Sequence, residues 1–128
     1  MTYLWIALGS ALGGAARYGC VGLAARWLGA AFPWGTLLVN VSGSLVIGFL
    51  AALMAPDGRL LATPDTRAFL MIGILGGFTT FSSFSLETLN LVRDGEWLFA
   101  FVNVVLSVLL CLVAVWLGHA AAVMLSRV

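Results

Sequence analysis

The sequence contains no lysine, a single histidine and no run of basic residues. Its six arginines and five acids nearly cancel to a formal net charge of +1, and charged side chains are only 9% of the 128 residues. With no basic stripe there is no electrostatic footprint for nucleic acid, nor for the surface of an anionic membrane. Cys20 and Cys111 both fall in apolar stretches without metal-ligand spacing, so they read as packed thiols with no disulfide. His119, near the end of an apolar stretch, has no partner at catalytic or ligand spacing. The cluster of nucleophile, base or metal ligands that a membrane enzyme needs is therefore missing, and the chain reads as no enzyme. Polar connections are scarce as well. The one polar linker is Ala55 to Thr66, and neither a domain boundary nor a low-complexity segment is evident.

What is present is apolar. Hydrophobic residues make up 62% and the mean hydropathy is +1.12, which places nearly every element in lipid. The pattern predicts an all-α membrane protein, a single four-span transmembrane domain with spans over about 3–28, 33–54, 67–91 and 96–122. No basic segment precedes the first span and it lacks a cleavage site, so it is read as retained rather than as a signal peptide. Gly9 and Gly13 give that span a small-xxx-small face for close helix approach. Pro33-Trp34-Gly35 opens the second span, with proline suited to a first helical turn. In the fourth, Asn103, Ser107 and Cys111 recur at i+4 and make one polar stripe. Four spans put both termini on one side of the membrane, here side A. Trp5 and Trp116 then lie near side A and Trp27, Trp34 and Trp97 near side B, as aromatic belts require.

The third span carries Gly76-Gly77-Phe78-Thr79-Thr80-Phe81-Ser82-Ser83-Phe84-Ser85 at its centre. Two glycines destabilise a helix interior by about 1 kcal/mol each relative to alanine, and five hydroxyls compete for backbone bonds. In lipid, irregular backbone is tolerated only where protein buries it or it lines a wet cavity. The stretch predicts a helix break, with Gly76-Gly77 opposing a continuous helix. Freed carbonyls there can coordinate a cation, and the hydroxyls with the electropositive edges of Phe81 and Phe84 suit a small anion. Close packing through small residues is the alternative account.

By helical rise, Arg17, Asn40, Ser85, Glu87, Asn103 and Ser107 all lie in the half of the membrane nearer side B. Taken singly, Arg17 also fits snorkelling to the headgroups, and Asn40 fits an amide bonding a neighbouring helix. Arginines flank the two sides evenly: Arg59, Arg67 and Arg127 on side A against Arg26, Arg93 and a snorkelling Arg17 on side B. That balance permits insertion either way round. An inverted second copy would complete a polar lining through the full thickness, with the two breaks meeting at the midplane. A small dual-topology, proton-coupled exporter of cationic compounds is the alternative. It needs an ionisable carboxylate well inside the bundle, and Glu87 near the end of a span suits that poorly.

The Gly76–Ser85 stretch, together with Pro33-Trp34-Gly35-Thr36 leading to Asn40, resembles the Fluc (CrcB) family of fluoride channels. The resemblance extends over essentially the whole chain, from Gly13 and Arg17 through Asn103 and Ser107. It implies a passive fluoride-selective channel that lets fluoride leave the cytoplasm across a bacterial cell (inner) membrane, lowering intracellular fluoride. The implied assembly is an antiparallel (dual-topology) homodimer of four-helix subunits in lipid, with two pores and one structural sodium ion that is not transported. Carried over by position, the Gly76 and Thr79 carbonyls would hold sodium, and Phe81 and Phe84 would be pore phenylalanines from opposite subunits. Asn40, Ser82, Ser83, Ser107 and Glu87 would lie along the fluoride pathway, with Asn103 beside them and Arg17 at the vestibule. Asn103 stands where some relatives carry tyrosine, and Cys111 where some carry serine. An anionic Glu87 would oppose fluoride, so it is expected to be neutral or turned towards Arg17 or hydroxyls.

The even arginine count generates a prediction. Two lysines added to the Asp57–Asp65 loop should force a single orientation and abolish function unless an oppositely biased copy is co-expressed. Topology mapping with a growth assay checks this, and full function from chains in one orientation would contradict it.

Overall fold

The computed structural model describes residues 1–127, which form helices joined by short turns. Helix α1 is Thr2–Leu28, α2 is Trp34–Leu53 and α3 is Pro64–Arg67. A π-helical stretch, Ala68–Leu75, continues α3 directly into α4, Gly76–Phe78. After two non-helical residues come α5, Phe81–Arg93, and α6, Trp97–Ser126. Three helices are long and apolar enough to cross a membrane: Trp34–Leu53, Pro64–Arg93 taken through its interruption, and Trp97–Ser126. Helix α1 has the length, 27 residues or about 40 Å, but its glycines, Arg17 and Arg26 dilute its apolar character.

The turns follow from their residues. Thr63 caps α3, its hydroxyl accepting from the Thr66 amide at 3.2 Å, and Pro64 takes the first helical position. Gly29 and Gly95 hold φ of 83° and 80°, the left-handed conformation that ends α1 and separates α5 from α6. Arg67 ties the polar linker back to the bundle by donating to the Met54 carbonyl. Phe32 is buried against Trp34 and Phe99, with centroids at 4.7 and 5.8 Å, which closes the α1–α2 turn over the start of α6.

Helix α2 packs along α6, and α1 packs along the π-helical stretch and α4. Both seams are made by glycine. A Cβ on Gly13 would be driven into the Ile74 carbonyl, and one on Gly77 would lie 2.7 Å from the Ser10 carbonyl. Across the other seam, a Cβ on Gly118 would meet the Leu45 carbonyl and one on Gly48 the Val115 carbonyl. Backbones this close gain dispersion contacts that larger side chains would prevent.

The break exists, but not at the glycines. Gly76 is helical, with φ −63° and ψ −36°, whereas Thr79 and Thr80 are extended at −85°, 156° and −153°, 117°. β-Branched threonines favour extended backbone, and Thr80 caps α5 by accepting from the Ser83 amide at 3.1 Å. Gly77 therefore serves packing while the threonines make the break, so the two accounts of this stretch hold side by side. The π-helical stretch was not expected from sequence; it carries a wider turn than an α-helix and precedes the break directly. Cys111 is half-buried as expected, but Cys20 lies on the exposed outer face of α1, because that face packs against no other helix of the chain.

Gly13→Ala should lower the unfolding free energy in detergent by about 1–3 kcal/mol through overpacking against backbone. Gly14→Ala, with open space around its Cβ, should be neutral or stabilising by up to about 1 kcal/mol. Equal losses in the two variants would contradict the tight α1 seam.

Candidate functional site at the helix break

Breaking a helix between Phe78 and Phe81 frees backbone groups, and two side chains from other helices take most of them. Asn40, on α2, acts on Thr80 as a neighbouring β-strand would. Its Nδ2 donates to the Thr80 carbonyl at 2.9 Å, and its Oδ1 accepts the Thr80 amide at 2.7 Å. Arg17, on α1, donates from Nε to the Gly77 carbonyl at 3.1 Å and from Nη1 to Ser83 Oγ at 3.5 Å. Thr79 Oγ1 donates to the Leu75 carbonyl at 2.9 Å, which already receives the Thr79 amide. Among the described residues the Gly76 and Thr79 carbonyls have no hydrogen-bond partner.

Beside the break lies a cavity of about 400 Å³, lined by Asn40, Gly76, Thr79, Phe81, Phe84 and Ser107. Six of the residues singled out from sequence thus share one wall-to-wall space, and Cys111 adds its thiol to the lining. The Phe81 and Phe84 rings stack on each other, with centroids at 5.2 Å and planes tilted by 55°. Phe84 is the one buried side chain of α5, whereas Phe81 is 76% exposed at the open edge of the cavity. The space is mainly apolar, with a few polar atoms converging on it from three helices.

The remaining predicted residues lie elsewhere. Ser82 is exposed, 3.4 Å from Thr80 Oγ1, and Ser83 is half-buried, its Oγ taking bonds from Thr80 and Arg17 on the far side of the break. Arg17 is half-buried, and its guanidinium turns to the break, where the Gly77 carbonyl holds it. Glu87 belongs to a second cavity, of about 510 Å³, beside Thr36 and Asn90. Its Oε1 accepts from Thr36 Oγ1 at 2.7 Å, and its buried Oε2 has no partner among the described residues. Of the expected alternatives for Glu87, the structure shows the turn towards a hydroxyl. Asn103 is buried to 1% exposure and donates from Nδ2 to Thr88 Oγ1 at 2.9 Å, outside the cavity lining.

Two participants were missed, Thr36 and Thr88. Thr36 precedes Asn40 by four residues on α2, so the i+4 spacing already placed it on the same helix face. Thr88 follows Phe84 by four on α5 and carries the same signal.

Asn40→Leu removes both bonds to Thr80 and leaves an amide and a carbonyl unpaired, each at a cost of about 1–3 kcal/mol. The variant should unfold far more readily in detergent than Ser42→Ala, whose hydroxyl only returns to carbonyls of its own helix. Similar stability of the two variants would contradict the role given to Asn40.

Comparison with known proteins gives consistent matches. The family model described as CrcB-like protein, Camphor Resistance (CrcB), matches residues 4–119. A protein of Opitutus terrae named Fluoride-specific ion channel FluC is 63% identical over 124 residues, 97% of this chain and 94% of that protein. The proteins of the same name from Methylocella silvestris and Rhodospirillum rubrum are 57% and 56% identical over 127 residues. Those alignments cover 99% of this chain and 97% and 98% of theirs.

Proposed function

The chain belongs to the CrcB family, and from that premise we infer that it is a fluoride-selective ion channel, a multi-pass bacterial membrane protein passing fluoride down its gradient. The observation that carries the reading is the cavity at the break, where hydrogen-bond donors and aromatic edges surround a mainly apolar space. Fluoride is small and tightly hydrated, so a pore that strips its water must return hydrogen bonds. Asn40 Nδ2 has a second N–H beyond the one given to Thr80, Ser107 brings a hydroxyl, and Phe81 and Phe84 bring positive ring edges. Donors spaced for so small an ion return less to a larger, weaker acceptor such as chloride. The matched relatives carry the channel name, which favours this reading over a proton-coupled exporter.

The working assembly is an antiparallel homodimer of four-span subunits, with α1 as the fourth span. Several observations support it. Helix α5 buries only Phe84 within its own subunit, and Phe81 stands exposed at the open cavity edge. All five tryptophans are at least partly exposed, as lipid-facing interfacial anchors would be. A single subunit therefore leaves its pathway open along one side, and an inverted copy would close it.

A structural sodium ion fits the residues at the break. The Gly76 and Thr79 carbonyls lack partners, and a Cβ at Gly76 would find only the Met71 carbonyl, at 3.8 Å. Space and hard oxygen ligands are thus both available, and two inverted copies would bring four such carbonyls to the symmetry axis. When bound, the ion supplies fixed positive charge beside the anion path. The protein's own part is to hold Thr79 extended, through Asn40 on one flank and Arg17 on the other.

Liposomes reconstituted with the purified protein should release fluoride rapidly and retain chloride. Phe84→Ile should cut the fluoride rate by about tenfold or more without dispersing the dimer, since aromatic edges vanish from the path. Prolonged sodium depletion should also silence the channel. Chloride release at the fluoride rate would overturn the reading, and full activity after sodium depletion would remove the ion from it.

A further inference from the structure

A directed chain of hydrogen bonds runs from the cavity wall into the α5–α6 seam. Ser107 Oγ, on the wall, donates to Asn103 Oδ1 at 3.4 Å. Asn103 Nδ2 donates to Thr88 Oγ1 at 2.9 Å, and Thr88 Oγ1 donates to the Phe84 carbonyl at 2.7 Å. The direction is set at its far end. A carbonyl can only accept, so the Thr88 proton is committed to Phe84, and Thr88 must accept from the Asn103 amide. Asn103 Oδ1 then faces Ser107 and takes its proton. In this state Ser107 turns lone pairs, not a proton, towards the cavity.

The opposite direction is open to the same atoms. If Thr88 turns its proton to Asn103 Oδ1, the amide turns over, Nδ2 donates to Ser107 Oγ, and the Ser107 proton points into the cavity. Reversal gives up the Thr88 bond to Phe84. With an anion in the cavity the loss is matched by a new Ser107 bond, and without one the reversed chain is a bond short. The 3.4 Å link at Ser107 is the longest of the three, so its proton is the easiest to redirect.

We propose that Thr88 and Asn103 form a reversible hydrogen-bond relay that makes Ser107 an acceptor in the empty cavity and a donor when an anion enters. Both are positioning residues, since neither lines the cavity. The relay favours the strongest acceptor among simple anions, because only a strong new bond compensates the one surrendered at Phe84. It rests on the channel reading and adds a selectivity element outside the pathway itself. Asn103 suits the part because its amide carries both a donor and an acceptor and can turn over within its own volume.

The test is the fluoride-concentration dependence of flux in proteoliposomes. In Thr88→Val the bond to Phe84 no longer exists, so reversal surrenders nothing, and the half-saturating fluoride concentration should fall by about threefold to tenfold. Thr88→Ser keeps the hydroxyl and should restore the wild-type value. The shift must pass through Ser107, so Thr88→Val should cause none when added to Ser107→Ala. Thr88→Ala provides a second variant without the hydroxyl should the valine fail to assemble. An unshifted half-saturation in variants without the hydroxyl overturns the relay, and so does a shift that persists with Ser107→Ala. Absence of fluoride flux in the wild-type protein would instead overturn the channel reading.

Discussion

Every backbone N–H and C=O inside a bilayer needs a partner, and this constraint governs the rest of the structure. A helix opened at Thr79 and Thr80 in mid-span violates it locally, and the surrounding bundle is arranged to repair most of the damage. Asn40 supplies an amide that matches Thr80 on both sides, and Arg17 supplies a guanidinium to the Gly77 carbonyl. For these side chains to arrive, α1 must approach the broken segment at backbone contact, which explains Gly9, Gly13, Gly73 and Gly77 in one seam. The repair is incomplete at the Gly76 and Thr79 carbonyls. Groups left unpaired in an otherwise complete network are where a ligand has something to gain.

That the chain is all-helical, with helices long and apolar enough to cross a membrane, was legible because it rests on composition and length. Helices Trp34–Leu53 and Trp97–Ser126 lie close to the expected bounds, since an apolar run flanked by Pro33 or by Arg93-Asp94-Gly95 has few alternatives. The break was legible as a stretch but not to the residue. Helix propensity penalises glycine, yet Gly77 stays helical because close packing against α1 outweighs the intrinsic cost, and Gly76 beside it stays helical with open space around it. The π-helical stretch had no signal at all, since Ala68–Leu75 is a plain apolar run whose hydrogen-bond register depends on what it packs against. The candidate site divides in the same way. Residues chosen for their chemistry at helical spacing, such as Asn40, Phe84 and Ser107, meet at one cavity, whereas Ser82 and Glu87 point elsewhere. Sequence spacing places a residue on a helix face, but a break rotates one half-helix against the other and only coordinates give the angle.

Polar groups in this protein therefore fall into two classes. Asn40 and Arg17 are largely consumed in holding an extended segment that lipid would otherwise not permit. Ser107 and the second N–H of Asn40 retain capacity towards the cavity. The classes are not independent, because rigid groups in the first fix where groups in the second point. A donor fixed in place needs no reorganisation when an anion arrives, which favours a small ion that fits the spacing over a larger one that does not. Hydroxyls are the exception. Their oxygens are held by the backbone while their protons turn freely, so a hydroxyl on the cavity wall has a position set by packing and a polarity set by its neighbours. At Ser107 those neighbours are the buried Asn103 and the half-buried Thr88, in the α5–α6 seam outside the cavity lining. Selectivity in such a pore can thus depend on residues outside the cavity lining, through the proton directions they allow.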